Sequence, residues 1–414
     1  MSAATAAARA ILLRLLERAE GGRLVIAEGE RRREFGPADA ELRAEVRIND
    51  PRAWTMTLRG SAGWGEAYAE GFWDADDLLS ACRIAAREIP RLDRPRAALQ
   101  PLVGPIQRAA RLVPRNTRAG ARRHIAAHYD LGNELFASFL DRRLVYSCAR
   151  FPRPGASLEE AQLSKLDGIC RRLELGPGDH LLEIGSGWGG LAIHAASEYG
   201  CRVTATTISS AQRALAIERV AAAGVAERVE VVGLDYRDLR GRFDKLASIE
   251  MIEAVGWQYF PLFFRRCSEL LREDGLMLLQ AIVLDDRAYE FEKGRKSFAN
   301  TLIFPGGCLP SRALIAEAVA RETDLRAVWA EDITPHYAET LAAWRRRFDA
   351  AFEALRSPRY DERFRRLWTL YLTVSEAGFR ERRLGDVQVL LAKPGWRDAR
   401  AAAGEAAVPA LAAA

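Results

Sequence analysis

The sequence predicts an α/β protein in which a parallel sheet carries helices on both faces, preceded by a smaller mixed α+β unit. Three observations carry this. Strand-like apolar runs alternate with helix-length segments from about residue 180 onward. The first of those runs feeds a glycine-rich turn that opens a helix. The 414 residues exceed the roughly 100–200 of an ordinary domain, which points to more than one unit.

In the first unit, expected over residues 1–100, Leu12, Leu15, Leu16 and Ala19 share one helical face, while Arg23–Ala27 and Leu42–Ile48 alternate as short strands do. The stretch from Trp64 to Trp73 is dense in aromatics and reads on local chemistry as a packed helix and turn. Residues 101–123 form a linker with Pro101, Pro105 and Pro114 and with Arg108, Arg111, Arg115, Arg118, Arg122 and Arg123. Such a run is either a solvated surface or an attractor of phosphate, at about 1 kcal/mol per cation beside an anionic membrane. A catalytic unit is expected over 124–395, and the Ala-rich residues 396–414 as a frayed tail.

Within the catalytic unit, strands are expected at His180–Ile184, Arg202–Thr206, Val229–Gly233, Lys245–Glu250 and Leu276–Val283. Helices fall between them at Gly190–Tyr199, Ala211–Ala223 and Tyr259–Leu271. Two further helices, Tyr337–Phe352 and Glu362–Ala377, lead into a last strand, Asp386–Leu391.

Composition narrows the class. The chain is 49% hydrophobic, enough for a sizeable core, and its net charge is a modest +5. No apolar run approaches the roughly 20 residues of a membrane span. Ile11–Leu16 contains Arg14 and no cleavage site, so it does not read as a signal peptide, and a cytoplasmic location is expected. Cys82, Cys148, Cys170, Cys201, Cys267 and Cys308 include no C-x-x-C pair, which argues against structural zinc or a disulfide framework. No metal is expected.

The strongest chemical signal runs from Leu181 through Gly190: Leu-Leu-Glu-Ile-Gly-Ser-Gly-Trp-Gly-Gly. Gly185 and Gly187 permit a tight turn and let a ligand reach the backbone. A bare G-x-G also fits dinucleotide sites. Glu183 directly before the turn gives the E-x-G-x-G form used for S-adenosylmethionine, with the acid near the methionine amino end. Dinucleotide sites usually place an acid at the end of the second strand, whereas this chain offers Thr206-Thr207-Ile208-Ser209-Ser210-Ala211-Gln212. The fold is therefore read as a Rossmann-like class I methyltransferase fold with helical insertions.

Several segments together resemble the cyclopropane-fatty-acyl-phospholipid synthase family, including its mycolic-acid-modifying relatives. They are His128–Asn133 (HYDLGN), Tyr146–Ala149 (YSCA), Glu183–Gly190, Thr207–Ser209, Asp235–Asp238, Glu253 with Val255-Gly256, and Ile303–Ser311. The resemblance continues through Tyr337–Trp344 and Val387–Leu391, and Gly65–Trp73 is similar to the N-terminal domain of full-length bacterial members. It spans about residues 40 to 393. It implies methyl transfer from S-adenosylmethionine to a cis double bond of an unsaturated phospholipid acyl chain, through a carbocation that then loses a proton. It also implies a bound bicarbonate as base, a homodimer, action at the membrane surface and no nucleic-acid partner. Residue by residue, it places Cys148, Glu253, Tyr337 and the backbone of Ile282 around the bicarbonate. The cofactor set it implies is Tyr146, Ser147, Glu183, Gly185, Gly187, Thr207, Ile208, Gln212, Asp235 and Tyr236.

The sequence departs from the family at two positions. A histidine that serves as a further bicarbonate ligand in cyclopropane-forming members is Gln280 here, and a Glu-His pair is Glu253-Ala254. An amide donates a hydrogen bond but carries no charge and relays no proton. Altered bicarbonate binding is therefore expected, with His336 as a neighbouring candidate to compensate. A methylene- or methyl-branched product becomes an alternative to a cyclopropane. Two other readings compete. A methyltransferase for a small molecule or nucleic acid explains the glycine loop but not YSCA or the Phe304–Ser311 segment, and no N/D-P-P-Y motif is present. A catalytically silent lipid-binding relative would not need an intact cofactor loop beside Cys148, Glu253 and Tyr337.

Overall fold

The structure is a computed structural model that describes residues 1–89, 91, 116–118, 120–121 and 131–397. Most of the arginine-rich linker, His128 to Asp130 of the HYDLGN segment, and residues 398–414 lie outside the described residues. The chain divides into two compact units. One comprises Met1–Val113, Gly294–Pro305 and Ala338–Leu384; the other comprises Pro114–Lys293, Gly306–Tyr337 and Gly385–Ala414. The first unit thus gathers three segments far apart in sequence.

The first unit contains a four-stranded sheet of β1 (Arg23–Glu28), β2 (Arg31–Phe35), β3 (Arg43–Ile48) and β4 (Trp73–Ala75), in the order β2-β1-β3-β4. The helix Ala3–Leu16 buries Ala8 and Leu13 in a core with Leu24, Ile26, Ala44 and Trp54. The aromatic stretch forms the helix Ser61–Ala69 and the turn after it. Trp64 stacks on Trp73 with ring centroids 4.7 Å apart. The helix Glu362–Arg380 is tied to this stretch by Arg366. Its guanidinium lies 4.2 Å from the Tyr68 ring centroid and donates to the carbonyls of Tyr68 and Trp73 and to Asp74.

The second unit is built on a seven-stranded sheet of β5 (His180–Ile184), β6 (Arg202–Thr206), β7 (Val229–Val232), β8 (Phe243–Ile249), β9 (Leu271–Leu284), β10 (Arg326–Asp332) and β11 (Leu384–Ala392). Its order is β10-β11-β9-β8-β5-β6-β7. The strands from β9 through β7 pair in parallel, and β10 pairs antiparallel with β11. This is the expected α/β class, with an antiparallel edge added.

Both faces are buried, as a parallel sheet requires. Successive residues of β5 point to opposite layers. Leu181 joins Leu191, Ala192, Ala195 and Ala216 on one side, while Leu182 joins Phe260, Phe263 and Phe264 on the other. The chain runs outward from β5 through β6 to β7, then returns to pair β8 on the far side of β5. That reversal leaves a crevice at the carboxyl ends of β5 and β8, where open α/β sheets bind ligands.

Candidate active site

The turn after β5 holds Gly185 at φ +89° and Gly187 at φ +52°. A Cβ on Gly185 would meet the side chain of Met251 at 2.4 Å, so this position needs glycine both for its backbone angle and for its space. Ser209 accepts from the Gln212 amide N–H and starts the helix Ser210–Ala222. That cap fixes Gln212 beside the turn. Its side-chain oxygen accepts from the Thr207 hydroxyl at 2.9 Å.

All of the cofactor residues expected from sequence line a single cavity, namely Tyr146, Ser147, Glu183, Gly185, Gly187, Thr207, Ile208, Gln212, Asp235 and Tyr236. It encloses about 1140 Å³ with its open mouth included, ample for a nucleoside-sized ligand. Several polar atoms in its wall await a partner. Glu183 Oε2, Ser186 Oγ and the Tyr236 hydroxyl are buried without a hydrogen bond, and orphaned atoms of this kind call for a ligand. Burial pushes the Glu183 carboxyl up to about 8, an acid in need of a cation. Asp235 is already clamped by Arg237, whose guanidinium donates to both carboxylate oxygens at 2.8 and 2.7 Å. This pairing holds its carboxyl below the ordinary range in spite of burial. These residues fit a cationic nucleoside such as S-adenosylmethionine.

The expected catalytic residues collect behind this cavity around two carboxylates. β8 ends at Ile249, and Glu250 leaves it with φ +50°, a left-handed angle that costs a non-glycine residue about 1–2 kcal/mol. Its Oε1 accepts from the Cys148 backbone N–H at 2.8 Å and the Gln280 amide at 2.6 Å. Its Oε2 accepts from the Tyr337 hydroxyl at 2.6 Å. Glu253 Oε1 accepts from the Ile282 backbone N–H at 2.6 Å, while its Oε2 is buried and unpartnered. The Glu253 carbonyl accepts from the Cys308 N–H at 2.8 Å, which docks part of the Gly306–Ser311 segment here. Burial, then the nearby Glu250, pushes the Glu253 carboxyl up to about 8.

Gln280 is fully buried and its amide is fully engaged. The nitrogen also donates to Asp386 Oδ2 at 3.1 Å, and the oxygen accepts from the Gln388 side chain at 3.0 Å. Burial raises Asp386 well above the carboxylate range, helped by Glu250 and Glu253. Facing this cluster is Lys165, fully buried on the helix Leu158–Arg172, with Nζ 2.5 Å from Ser147 Oγ. Burial lowers its proton affinity, opposed first by the charge of Glu250. The Cys148 thiol is buried and donates to the Ala149 carbonyl at 3.2 Å. Burial raises its proton affinity far above that of a reactive thiolate. The His336 ring lies against Phe151, centroids 6.3 Å apart.

Glu250, Asp386 and Lys165 are the groups that reading the sequence passed over. Lys165 had a signal. It lies with Gln162 among Leu158, Ala161, Leu166 and Ile169 on the buried face of a helix, where a charge is out of place.

A separate bicarbonate does not fit this arrangement. The N–H groups of Cys148 and Ile282, the Tyr337 hydroxyl and the Gln280 amide already donate to side-chain carboxylates. A further anion would add negative charge to a buried cluster of Glu250, Glu253 and Asp386, at a steep desolvation cost.

Comparison with known proteins identifies the family. The family model for mycolic acid cyclopropane synthetase matches residues 116–389. A tuberculostearic acid methyltransferase of Mycobacterium tuberculosis is 39% identical over 404 residues, covering 94% of this chain and 92% of the relative. The cyclopropane-fatty-acyl-phospholipid synthase of Escherichia coli is 34% identical over 355 residues, covering 84% and 88%. A crystal structure of the mycolic acid cyclopropane synthase CmaA1 complexed with SAH and CTAB superposes with a TM-score of 0.60 at 30% identity, over 66% of this chain and 98% of that one. With a class I methyltransferase sheet, a glycine turn at its switch point and these relatives, the chain is a methyltransferase and belongs to the mycolic acid cyclopropane synthetase family.

Proposed function

We propose that the protein is an S-adenosylmethionine-dependent C-methyltransferase that adds a methyl-derived carbon across the cis double bond of unsaturated fatty acyl chains in membrane phospholipids. The observation that carries this reading is the pairing of a cofactor cavity with buried carboxylates of raised proton affinity, Glu250 in its wall and Glu253 behind it. An oxygen or nitrogen acceptor is deprotonated before or during methyl transfer. An alkene carbon needs no base before the transfer and one immediately after it, in a dry site.

S-adenosylmethionine supplies an electrophilic methyl group on a sulfonium. Glu183 would receive its ammonium, and Thr207, Gln212 and Asp235 its nucleoside hydroxyl and amino groups. Tyr146, in edge contact with Phe136 at 5.2 Å, forms part of the cavity wall. A π bond is a weak nucleophile, so holding the alkene in line with the methyl supplies much of the rate. The carboxylate cluster then stabilises the positive charge that forms on the acyl chain and takes up a proton.

A cyclopropane is the first reading of the product. A methylene or methyl branch is the second, favoured by Gln280 and by the 39% identity to a tuberculostearic acid methyltransferase. Among the described residues no helix is long and apolar enough to cross a membrane, and we place the protein at the membrane surface as a cytoplasmic homodimer. Incubation with S-adenosylmethionine and vesicles of cis-monounsaturated phospholipid tests the activity. Acyl chains heavier by one CH2 support it, NMR of those chains separates ring from branch, and methylation confined to headgroups contradicts it.

A further inference from the structure

We propose that Glu250 is the base of this enzyme, so that the proton released after methyl transfer passes to a side chain of the protein and no oxyanion from solvent is required. The proposal rests on the alkene-methylating reading above.

Three independent features single out Glu250. It lines the cofactor cavity directly, whereas Glu253 and Asp386 are not among the lining residues. It sits at the carboxyl end of a central strand in a left-handed backbone conformation, φ +50°. Strain of this kind persists only where surrounding contacts over-determine it, and it concentrates at working sites. Its carboxylate gathers the Cys148 N–H, the Gln280 amide and the Tyr337 hydroxyl, three donors that the family resemblance places around a bound anion or in its stead. In this chain the anion they hold is covalently part of the protein.

The hydrogen bonding also selects the atom. A carboxylate offers about four acceptor positions. Oε1 uses two of them on Cys148 and Gln280, while Oε2 uses one on Tyr337. Oε2, which holds the fewer of these donors, is the oxygen assigned to the incoming proton. Burial raises the proton affinity of this carboxyl, opposed first by the Tyr337 hydrogen bond and then by the charge of Lys165.

The alkene π pair forms a bond to the methyl carbon while the sulfur–carbon bond breaks and leaves its pair on sulfur. A C–H bond of the transferred methyl group then breaks. Its electron pair closes the three-membered ring onto the cationic carbon or, after a 1,2-hydride shift has moved the cation to the methyl-bearing carbon, forms a methylene double bond; the proton goes to Glu250 Oε2, from which it returns to water as product leaves.

The test compares wild type, Glu250→Gln and Glu250→Gly with S-adenosylmethionine and cis-monounsaturated phospholipid vesicles. Each runs in buffer stripped of carbon dioxide and in buffer with added bicarbonate, and cofactor affinity is measured by calorimetry. Wild type is expected to turn over within about twofold in both buffers. Glu250→Gln should lose at least about a hundredfold in kcat, the range of a general base, with cofactor Kd within about threefold. Glu250→Gly, with the cavity left open, should regain activity with bicarbonate or formate. The proposal is overturned if wild type needs bicarbonate, if Glu250→Gln keeps its rate, or if Glu250→Gly binds cofactor without any rescue. A wild type that makes no product in either buffer removes the lipid reading, and the proposal with it.

Discussion

The side-chain amide nitrogen of Gln280 bridges two buried carboxylates, donating to Glu250 Oε1 at 2.6 Å and Asp386 Oδ2 at 3.1 Å. A neutral histidine at this position offers a single N–H and cannot make both bonds. Gln280→His is therefore expected to lower kcat by at least about tenfold, the worth of one charge-assisted hydrogen bond. The KM for cofactor should stay within about twofold. Because the bridge sets where Glu250 points, the ratio of cyclopropane to branched product should move toward cyclopropane. Steady-state kinetics with NMR of the acyl chains checks both, and an unchanged rate and ratio would detach Gln280 from the chemistry.

Lys165 bears on the charge state of the same cluster. Its charge favours ionised Glu250, after the larger effect of the Tyr337 hydrogen bond, with the Cys148 N–H and the Gln280 amide acting in the same direction, while Asp386 and Glu253 oppose it. A base works when deprotonated, so activity rises with pH through its pKa. Lys165→Met removes the favourable charge, raises that pKa and should carry the rising limb of the kcat profile to higher pH by about one unit or more. A limb that stays in place would show that Lys165 is only a structural partner of Ser147.

Glu183 links cofactor binding to stability. Its carboxyl is raised to about 8 by burial, so the folded chain favours the neutral form. The stability this group contributes is complete below the ordinary carboxylate pKa and is lost as pH rises from there through about 8. Glu183→Gln is neutral at every pH and should escape the decline. The ligand-free variant is expected to melt above wild type at pH 9 and to bind S-adenosylmethionine at least about tenfold more weakly there. Thermal unfolding and calorimetry at that pH check the pair of effects; a variant that melts below wild type contradicts the assignment.

In the other unit, Arg366 satisfies the carbonyls of Tyr68 and Trp73, pairs with Asp74 and stacks on Tyr68. Arg366→Ala should destabilise the full chain by about 2 kcal/mol or more. Denaturant unfolding followed by tryptophan fluorescence reads this, since Trp64 and Trp73 report on the same corner. A midpoint within error of wild type would refute it.

The legibility of the chain in its sequence follows burial. His180–Ile184 and Arg202–Thr206 are strands over the limits expected, because each is a short run of mostly buried apolar and β-branched residues flanked by helix-length segments. Edge elements carry little. Arg31–Phe35 is a strand whose four charged residues are exposed, and Arg326–Asp332 mixes partly exposed and charged residues along the sheet edge. Neither is among the strands expected from sequence. At the site, Glu183 and the glycines were readable because backbone geometry dictates them. In sequence, Glu250 and Asp386 read only as the end of one strand and the beginning of another. Only the pairing of β8 with β9, which sets Ile249 opposite Gln280, and the position of β11 bring them to one amide.

S-adenosylmethionine carrying a carbon-13 methyl group, given to purified protein with vesicles of cis-monounsaturated phospholipid, tests acyl-chain methylation directly. The label is expected in the acyl chain, bonded to a former alkene carbon, in ring, methylene or methyl form. Label found only on the headgroup, or no label in the lipid while the protein binds the cofactor, would contradict it.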